Sequence, residues 1–217
     1  MNNLSLNYLV RQPKTNIENP PLLVMLHGYG SNEQDLFSFA DELPGDFLII
    51  SARAPLSLGF ESYAWYTIHF DKGPTKFNDI PQAKESLKLI GDFLEEIKNN
   101  YQVSSDKIFL FGFSQGTILS IAYALNNPDK VKHVIALSGY VNGELLHDNI
   151  NQNDYNDLDF YVSHGAADQV IPVDWARKTP GFLDALKIKN SYQEYPVGHG
   201  VAPQNFYDLL KWIKERL

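Results

Sequence analysis

The sequence predicts an α/β protein with a mostly parallel central sheet and helices on both of its faces. Four short runs, LLVML, FLII, IFLF and VIAL, are continuously apolar. Continuous rather than alternating apolar character is typical of strands that are buried on both faces. These runs alternate along the chain with helical patterns, which favours a parallel sheet. Because no linker, repeat or charge run divides the chain, we expect one domain over residues 1–217.

The first half of the chain contains fewer clear elements than the second. Residues 4–11 alternate weakly, which indicates an edge strand, and residues 22–26 (LLVML) form a buried strand. Ser31 or Asn32 is a suitable cap for a helix that runs to about Asp41. Residues 47–50 (FLII) form the next buried strand. Residues 52–79 are rich in proline, glycine and aromatic side chains and show no periodic element.

The second half alternates regularly. Residues 80–100 form a long amphipathic helix, because apolar side chains recur there at helical spacing. Pro180-Gly181 suggests a break in the helix that begins at Val173. The other predicted elements are strands at 108–111, 134–137, 158–162 and 192–195 and helices at 115–125, 173–188 and 203–216.

Composition excludes several classes of protein. A net charge of −8 argues against nucleic acid and against electrostatic binding to anionic lipid. The chain has no cysteine, so it has no disulfide, thiolate metal site or cysteine nucleophile. It contains no apolar run near the roughly 18 residues of a spanning helix. The first residues lack the pattern of a signal peptide, so we expect a cytoplasmic protein.

The stretch Gly112-Phe113-Ser114-Gln115-Gly116 fits the G-x-S-x-G pattern of a nucleophile elbow. Two glycines and a serine can also form an ordinary turn, so the context decides. Here a predicted strand enters the turn and an apolar helix leaves it, as the elbow requires. The sequence therefore predicts Ser114 as a nucleophile, with the backbone N–H of Gln115 as one donor to an oxyanion.

A serine needs a base, and His199 is the best placed of six histidines. Active groups in this type of sheet lie beyond the carboxyl ends of strands. His199 follows the last predicted strand in a loop flanked by glycines. His133 precedes a strand and is at the wrong end, whereas His27 and His164 are expected to order their loops.

The acid is expected between the serine and the histidine, because that is the order found with this elbow. Asp168 is the only acid in the loop after the strand at 158–162. Its carboxylate would hold the His199 tautomer and stabilise the imidazolium. Asp174 is the competitor, but it is expected to begin the next helix and to compensate the helix dipole there.

The stretch His27-Gly28-Tyr29-Gly30 supplies a second glycine-rich loop after an early strand. We expect the backbone N–H of Tyr29, or otherwise Gly28, to be the other oxyanion donor. Neither GxGxxG nor a lysine-bearing phosphate loop occurs, so no nucleotide is expected. The histidines and acids show no metal-ligand spacing, so no metal is expected.

Taken together, LHGYGSNEQDL, the GFSQG elbow, HGAADQVIPVDWARK and YPVGHGVAPQNFYDLLKWIKERL resemble the phospholipase/carboxylesterase family of α/β-hydrolases. This family includes bacterial carboxylesterases and acyl-protein thioesterases, and the resemblance runs from about Leu22 to the end. It implies the α/β-hydrolase fold, Ser114, Asp168 and His199 as triad, Tyr29 and Gln115 as oxyanion donors, and no cofactor. It also implies a small-molecule ester substrate, and because the family sometimes forms dimers, it allows a weak homodimer.

The sequence departs from its relatives near the predicted substrate wall. Tyr29 stands where a smaller or aliphatic residue is common, and Gly200 follows His199 where several relatives have an acid. Residues 65–77 do not clearly match the acyl channel of the thioesterases. An apolar acyl pocket is expected to use Trp65, Tyr66 and Phe70, together with Phe60, Tyr63 and Ile68. Packing on the core is the alternative for each of these side chains.

The predicted activity is hydrolysis of carboxylic esters with short-to-medium acyl chains, by way of an acyl-enzyme. Two alternatives stay open. One is a lysophospholipase or acyl-protein thioesterase that acts on long-chain esters or thioesters. The other is an inactive hydrolase fold that serves as a binding module, which the complete set of serine, acid and histidine argues against.

Overall fold

A seven-stranded sheet forms the centre of the protein in the computed structural model, which describes residues 4–69 and 77–217. In chain order, the strands are β1 (Tyr8–Arg11), β2 (Leu22–Leu26), β3 (Leu48–Ala52), β4 (Leu56–Gly59), β5 (Ser62–Ala64), β6 (Ile68–His69), β7 (Phe77–Asn78), β8 (Ile108–Phe113), β9 (His133–Leu137), β10 (Asp159–Gly165) and β11 (Lys189–Tyr195). The central sheet has the order β1-β3-β2-β8-β9-β10-β11. Among the described strands of this central sheet, β1 at the edge pairs antiparallel and the others pair parallel, so the prediction of a mostly parallel sheet is confirmed.

Helices cover both faces of this sheet. The α-helices are α1 (Gln34–Phe37), α2 (Ile80–Asn100), α3 (Gln115–Asn126), α4 (Val173–Ala176), α5 (Lys178–Ala185) and α6 (Pro203–Lys214), and two 3-10 turns lie at Gly143–Leu145 and Ile150–Gln152. α2 begins at an effective cap, because the Asp79 carboxylate accepts from the Gln82 N–H at 3.1 Å. No helix among the described residues combines the length and apolar character needed to cross a membrane.

Strand β2 shows how the continuous apolar runs serve two cores. Side chains alternate across a strand, so Leu22, Val24 and Leu26 point to one face and Leu23 and Met25 to the other. The first set packs with apolar residues of α2 and α3, and the second with those of α1 and α6. All five are fully buried. The run therefore has no polar position because neither face of the strand meets water.

The first predicted helix is shorter than expected, because α1 ends at Phe37 rather than near Asp41. The Ser38 hydroxyl donates to the Asp35 carbonyl at 2.6 Å, the carbonyl that the next helical N–H would need. The Phe39 N–H instead bonds to the Leu36 carbonyl at 3.1 Å, so the chain continues in tighter turns.

Residues 52–79 contain two short ribbons that the sequence did not predict, β4-β5 and β6-β7. The β4-β5 ribbon turns at Phe60 and Glu61, which have φ values of 50° and 56°. Phenylalanine and glutamate rarely adopt left-handed backbone, so the sequence does not indicate a hairpin turn at these positions.

The predicted break at Pro180-Gly181 is wrong. The helical region is instead divided at Arg177, between α4 and α5. Pro180 and Gly181 both lie inside α5. Pro180 is in the first turn of α5, where a backbone N–H has no helical partner to lose.

Candidate active site

The Ser114 turn has the strained geometry of an elbow. Ser114 has φ 54° and ψ −114°, a conformation that a residue with a side chain rarely adopts. A Cβ on Gly116 would lie 1.9 Å from the Leu26 carbonyl oxygen, and one on Gly112 would lie 2.6 Å from the Gly116 carbonyl oxygen. Both glycines are therefore required for the close approach of β2, β8 and α3, which holds the Ser114 backbone in place.

The amino terminus of α3 lies directly after Ser114, because the helix begins at Gln115. Its dipole and unpaired N–H groups favour negative charge beside the Ser114 side chain. The Gln115 side chain has a separate structural role. It accepts from the Trp65 N–H and donates to the Tyr66 carbonyl, both at 2.8 Å, and so ties this segment to the elbow.

Ser114, His199 and Asp168 form one hydrogen-bonded chain. The Ser114 Oγ lies 2.9 Å from His199 Nε2, and His199 Nδ1 lies 2.6 Å from Asp168 Oδ2. An ionised carboxylate only accepts, so Nδ1 carries the proton and Nε2 is free to accept from the serine. The Asp168 side chain is fully buried and the His199 side chain is 17% exposed. This arrangement can remove a proton from the Ser114 hydroxyl.

The Asp168 carboxylate is fixed by its own loop. Oδ1 accepts from the N–H groups of Val170 and Ile171 at 2.7 and 2.9 Å. Oδ2 faces His199 and also lies 3.2 Å from His164 Nε2. His164 Nε2 lies 2.9 Å from the Ile171 carbonyl oxygen, so it carries a proton and donates. Asp174, in contrast, is exposed and pairs with Arg177 at 2.9 Å.

Two further glycines bring the Asp168 and His199 loops together. A Cβ on Gly165 would lie 2.0 Å from the Gly198 carbonyl oxygen. The Ala166 N–H donates to the Tyr195 carbonyl at 2.7 Å, and the Ala167 N–H to the Val197 carbonyl at 3.1 Å. The loops after β10 and β11 therefore pack backbone to backbone, which sets the spacing between the carboxylate and the imidazole.

The loop after β2 lies against the serine. A Cβ on Gly28 would come within 3.2 Å of the Ser114 Cβ. His27 orders this loop, because Nε2 accepts from the Ala54 N–H at 3.0 Å and Nδ1 donates to the Gly28 carbonyl at 2.8 Å. Burial lowers the pKa of His27, which agrees with a neutral ring that holds the loop.

A cavity of about 290 Å³ opens at Ser114. Its walls combine aliphatic and aromatic side chains with few polar groups, as ligand sites do. Burial raises the pKa of Tyr66, whose hydroxyl makes no hydrogen bond of ordinary geometry to any described residue. The lining residues are Tyr29, Tyr66, Ile68, Asn78, Ser114, Gln115, Ile118, Tyr140, Val170, Ile171, Trp175 and His199.

Only part of the expected substrate wall borders this cavity. Tyr66 and Ile68 line it. Trp65 is fully buried outside it and donates its indole N–H to the His27 carbonyl at 3.0 Å. The structure therefore places Trp65 in the core. Phe60 is fully exposed at the β4-β5 turn, and Phe70 lies outside the described residues.

The sequence analysis missed several wall residues on other elements, among them Ile118, Tyr140 and Trp175. They are separated along the chain and share no motif, so only the fold brings them together. In the described ranges 4–69 and 77–217, no group of three His, Asp or Glu side chains is placed to hold a metal ion.

Comparison with known proteins identifies relatives over nearly the whole chain. Residues 10–217 match the model of the phospholipase/carboxylesterase family. The protein is 26% identical to acyl-protein thioesterase 1 of Candida albicans over 94% of this chain and 96% of the relative.

Solved structures share the fold. The crystal structure of esterase PE8 superimposes with a TM-score of 0.84 at 23% identity and covers 99% of both chains. The carboxylesterase of Bacillus cereus gives a TM-score of 0.82 at 17% identity, over 98% of this chain and 95% of that one. The predicted α/β-hydrolase fold is thereby confirmed.

Proposed function

The chain belongs to the phospholipase/carboxylesterase family, and on that premise we propose that it is a serine hydrolase that cleaves carboxylic esters of short-to-medium acyl chains. The observation that carries the proposal is the hydrogen-bonded chain from Ser114 through His199 to Asp168, at 2.9 and 2.6 Å. An ester-cleaving hydrolase of this type needs an activated nucleophile, and among the described residues that line the cavity no other group is paired with a base in this way.

The proposed reaction has two half-steps. His199 Nε2 takes the Ser114 proton as the Oγ attacks the ester carbonyl, and the same proton then passes to the leaving alcohol. Water, activated by His199 in turn, hydrolyses the acyl-enzyme and releases the acid. The Asp168 carboxylate, held by two backbone N–H donors, stabilises the imidazolium that forms at His199.

The oxyanion would be held by backbone N–H groups of Tyr29 and Gln115. Both residues border the cavity at Ser114, Tyr29 from the loop after β2 and Gln115 from the start of α3. The start of α3 supports the assignment of Gln115, because the helix dipole adds to its N–H. Each such donor contributes about 100- to 1,000-fold to kcat in enzymes of this type.

The size of the cavity supports short-to-medium acyl chains. Its volume of about 290 Å³ is at the lower limit of ordinary ligand pockets. Ile118, Val170 and Ile171 make its walls apolar, which suits an unbranched acyl chain. The alternative, a long-chain ester or thioester, is favoured by the relative in Candida albicans, whose name is acyl-protein thioesterase 1.

A chain-length series separates these two activities. Hydrolysis of 4-nitrophenyl acetate, butyrate, octanoate and palmitate is measured with the wild type, Ser114→Ala and the matched control Ser120→Ala. We expect kcat/KM to peak between acetate and octanoate and to fall by at least tenfold at palmitate. Ser114→Ala abolishes turnover of every ester, whereas Ser120→Ala retains it. A maximum at palmitate would replace the short-chain proposal with the long-chain alternative.

A further inference from the structure

A second cavity, of about 490 Å³, adjoins the one at Ser114. Three residues, Asn78, Tyr140 and Trp175, line both cavities, so they form the boundary between them. Neither Ser114 nor His199 borders the second cavity. A group that fills it therefore belongs to the unreacted part of a substrate whose ester lies at the serine.

Two buried polar groups border this second cavity with unused hydrogen-bonding capacity. Thr179 is fully buried, and its hydroxyl has no hydrogen-bond partner among the described residues. Asn142 is 9% exposed, and its side-chain oxygen Oδ1 accepts a hydrogen bond from the Glu144 N–H at 3.1 Å. Its amide nitrogen makes no hydrogen bond within the described part of the chain and can donate into the cavity. A buried hydroxyl without a partner, such as that of Thr179, is rare, which points to a ligand here.

The charges of the described residues around the second cavity are balanced. Lys178 and Glu144 are both exposed and both border it, one on α5 and the other on the 3-10 turn after β9. They provide one cation and one anion, so the cavity does not select a strongly charged group of either sign. They do provide further hydrogen-bond donors and a strong acceptor.

Aromatic faces complete the walls. The Tyr140 and Trp175 rings meet edge to face with centroids 5.1 Å apart, and Phe182 lies in the same cavity. The Tyr140 hydroxyl accepts from the Asn78 amide at 3.1 Å, which leaves its own proton to donate. The cavity thus combines flat apolar surfaces with both donors and acceptors.

We propose that the second cavity binds a sugar-like polyol, which is the alcohol part of the ester that Ser114 cleaves; this inference rests on the proposed function. A sugar ring has C–H faces that pack on aromatic rings. Its hydroxyls both donate and accept, so they match Thr179, Asn142 and Glu144 together. Because the polyol is an alcohol, it occupies the leaving-group side, and the acyl group fills the smaller cavity.

The proposed step balances without a further reactant. The Ser114 Oγ forms a bond to the acyl carbon, and the bond from that carbon to the sugar oxygen breaks. The proton of Ser114 passes through His199 Nε2 to the sugar oxygen. Water then cleaves the acyl-enzyme and gives a carboxylic acid and a free serine.

The test compares three acetates as substrates of the wild-type protein and its variants. They are 6-O-acetylglucose, cyclohexylmethyl acetate, which has a ring of the same size without hydroxyls, and 4-nitrophenyl acetate as an activated reference. We expect kcat/KM for the sugar acetate to exceed that for the cyclohexyl acetate at least tenfold. Thr179→Val and Lys178→Met each lower the sugar acetate value by about fivefold, and they lower the cyclohexylmethyl acetate value much less, because that alcohol has no hydroxyl for these side chains to bind. The control Lys211→Met, on α6, changes none of them.

The outcomes are distinct. Equal cleavage of the sugar and cyclohexyl acetates, or equal losses on all three esters in Thr179→Val, would overturn the polyol site while the esterase stands. So would a preference of the wild type for a fourth acetate, the anionic ester 2-acetoxypropanoate, over the sugar acetate. Failure to cleave 4-nitrophenyl acetate would instead overturn the proposed function itself. Thr179→Val removes a hydroxyl without a partner, so the variant is expected to fold.

Discussion

His199 Nδ1 lies 2.6 Å from the buried Asp168 carboxylate, at the meeting point of two loops that follow adjacent parallel strands. The relation determines which nitrogen of His199 can act as a base. With Nδ1 protonated against Asp168, Nε2 faces Ser114 with its lone pair. The geometry therefore couples the chemistry of the serine to a residue that does not touch it.

Asp168→Asn tests this coupling. The two loop N–H groups keep the amide oxygen at the Oδ1 position, so an NH₂ group would face His199 Nδ1. The ring then adopts the other tautomer and loses its free Nε2 lone pair. We expect kcat for 4-nitrophenyl acetate to fall by about 10,000-fold. The exposed carboxylate of Asp174 serves as the control, and Asp174→Asn keeps full activity. An Asp168→Asn enzyme with more than a tenth of the wild-type kcat would contradict the assignment.

The backbone contact between the two loops leads to a stability prediction. Gly165→Ala would place a Cβ 2.0 Å from the Gly198 carbonyl oxygen, so the loops must separate. We expect the free energy of unfolding to drop by more than about 2 kcal/mol, measured by urea denaturation. Gly181→Ala is the matched control, because a Cβ there meets nothing within 4 Å inside α5. It should stabilise the protein by about 0.5–1 kcal/mol. Equal effects of the two substitutions would show that the loops are not closely packed.

Gln115 is expected to have two separate roles. Its side chain positions the cavity wall, and its backbone N–H binds the oxyanion. Gln115→Met removes both hydrogen bonds to the segment at Trp65 and Tyr66 but retains the N–H at the elbow. The loss of two buried partners should destabilise the protein by about 2 kcal/mol. KM for 4-nitrophenyl butyrate should rise several-fold, with a smaller change in kcat. A large fall in kcat with unchanged KM would assign the side chain to the transition state instead.

His133 is expected to make stability depend on pH. Burial lowers the pKa of His133 to about 4, against the opposing effect of the Asp159 carboxylate. The unfolded imidazole takes up its proton below about pH 6.5. The unfolded state therefore binds more protons between these values, and stability falls as the pH falls from about 6.5 to 4. The expected loss at pH 5 is about 1–2 kcal/mol.

Urea unfolding at pH 7.5 and pH 5.0 measures this loss. His133→Phe retains an aromatic ring beside Phe109, whose centroid lies 4.3 Å from that of His133, and should reduce the difference between the two pH values. His147→Gln changes an exposed histidine and should leave the difference unaltered. An equal pH dependence in His133→Phe and the wild type would contradict the effect of burial.

The sheet was predictable because each buried strand is indicated by its own short apolar run in the sequence. The apolar run Leu22–Leu26 predicts a strand that is buried on both faces, and the side chains of each face pack in a separate core cluster. The mutual placement of Ser114, Asp168 and His199 was also predictable, since each follows a strand whose carboxyl end lies at one edge of a parallel sheet. Their catalytic roles stay a prediction.

The cavity walls were not predictable in the same way. Ile118, Tyr140 and Trp175 come from separate elements and share no spacing or motif. Trp65 and Tyr66 are neighbours with similar character, yet only Tyr66 reaches the cavity. The difference is that the Trp65 indole N–H finds the His27 carbonyl, a contact that depends on the position of a distant loop.

The measurement that tests the central claim most directly is covalent capture of Ser114 by a fluorophosphonate, read by intact mass spectrometry. The control is Ser138→Ala, because Ser138 also follows a parallel strand in left-handed backbone, with φ 51°. The account predicts one adduct on the wild type and on Ser138→Ala, and none on Ser114→Ala. An unmodified wild type, or an adduct that persists in Ser114→Ala, would contradict it and show that the elbow does not activate its serine.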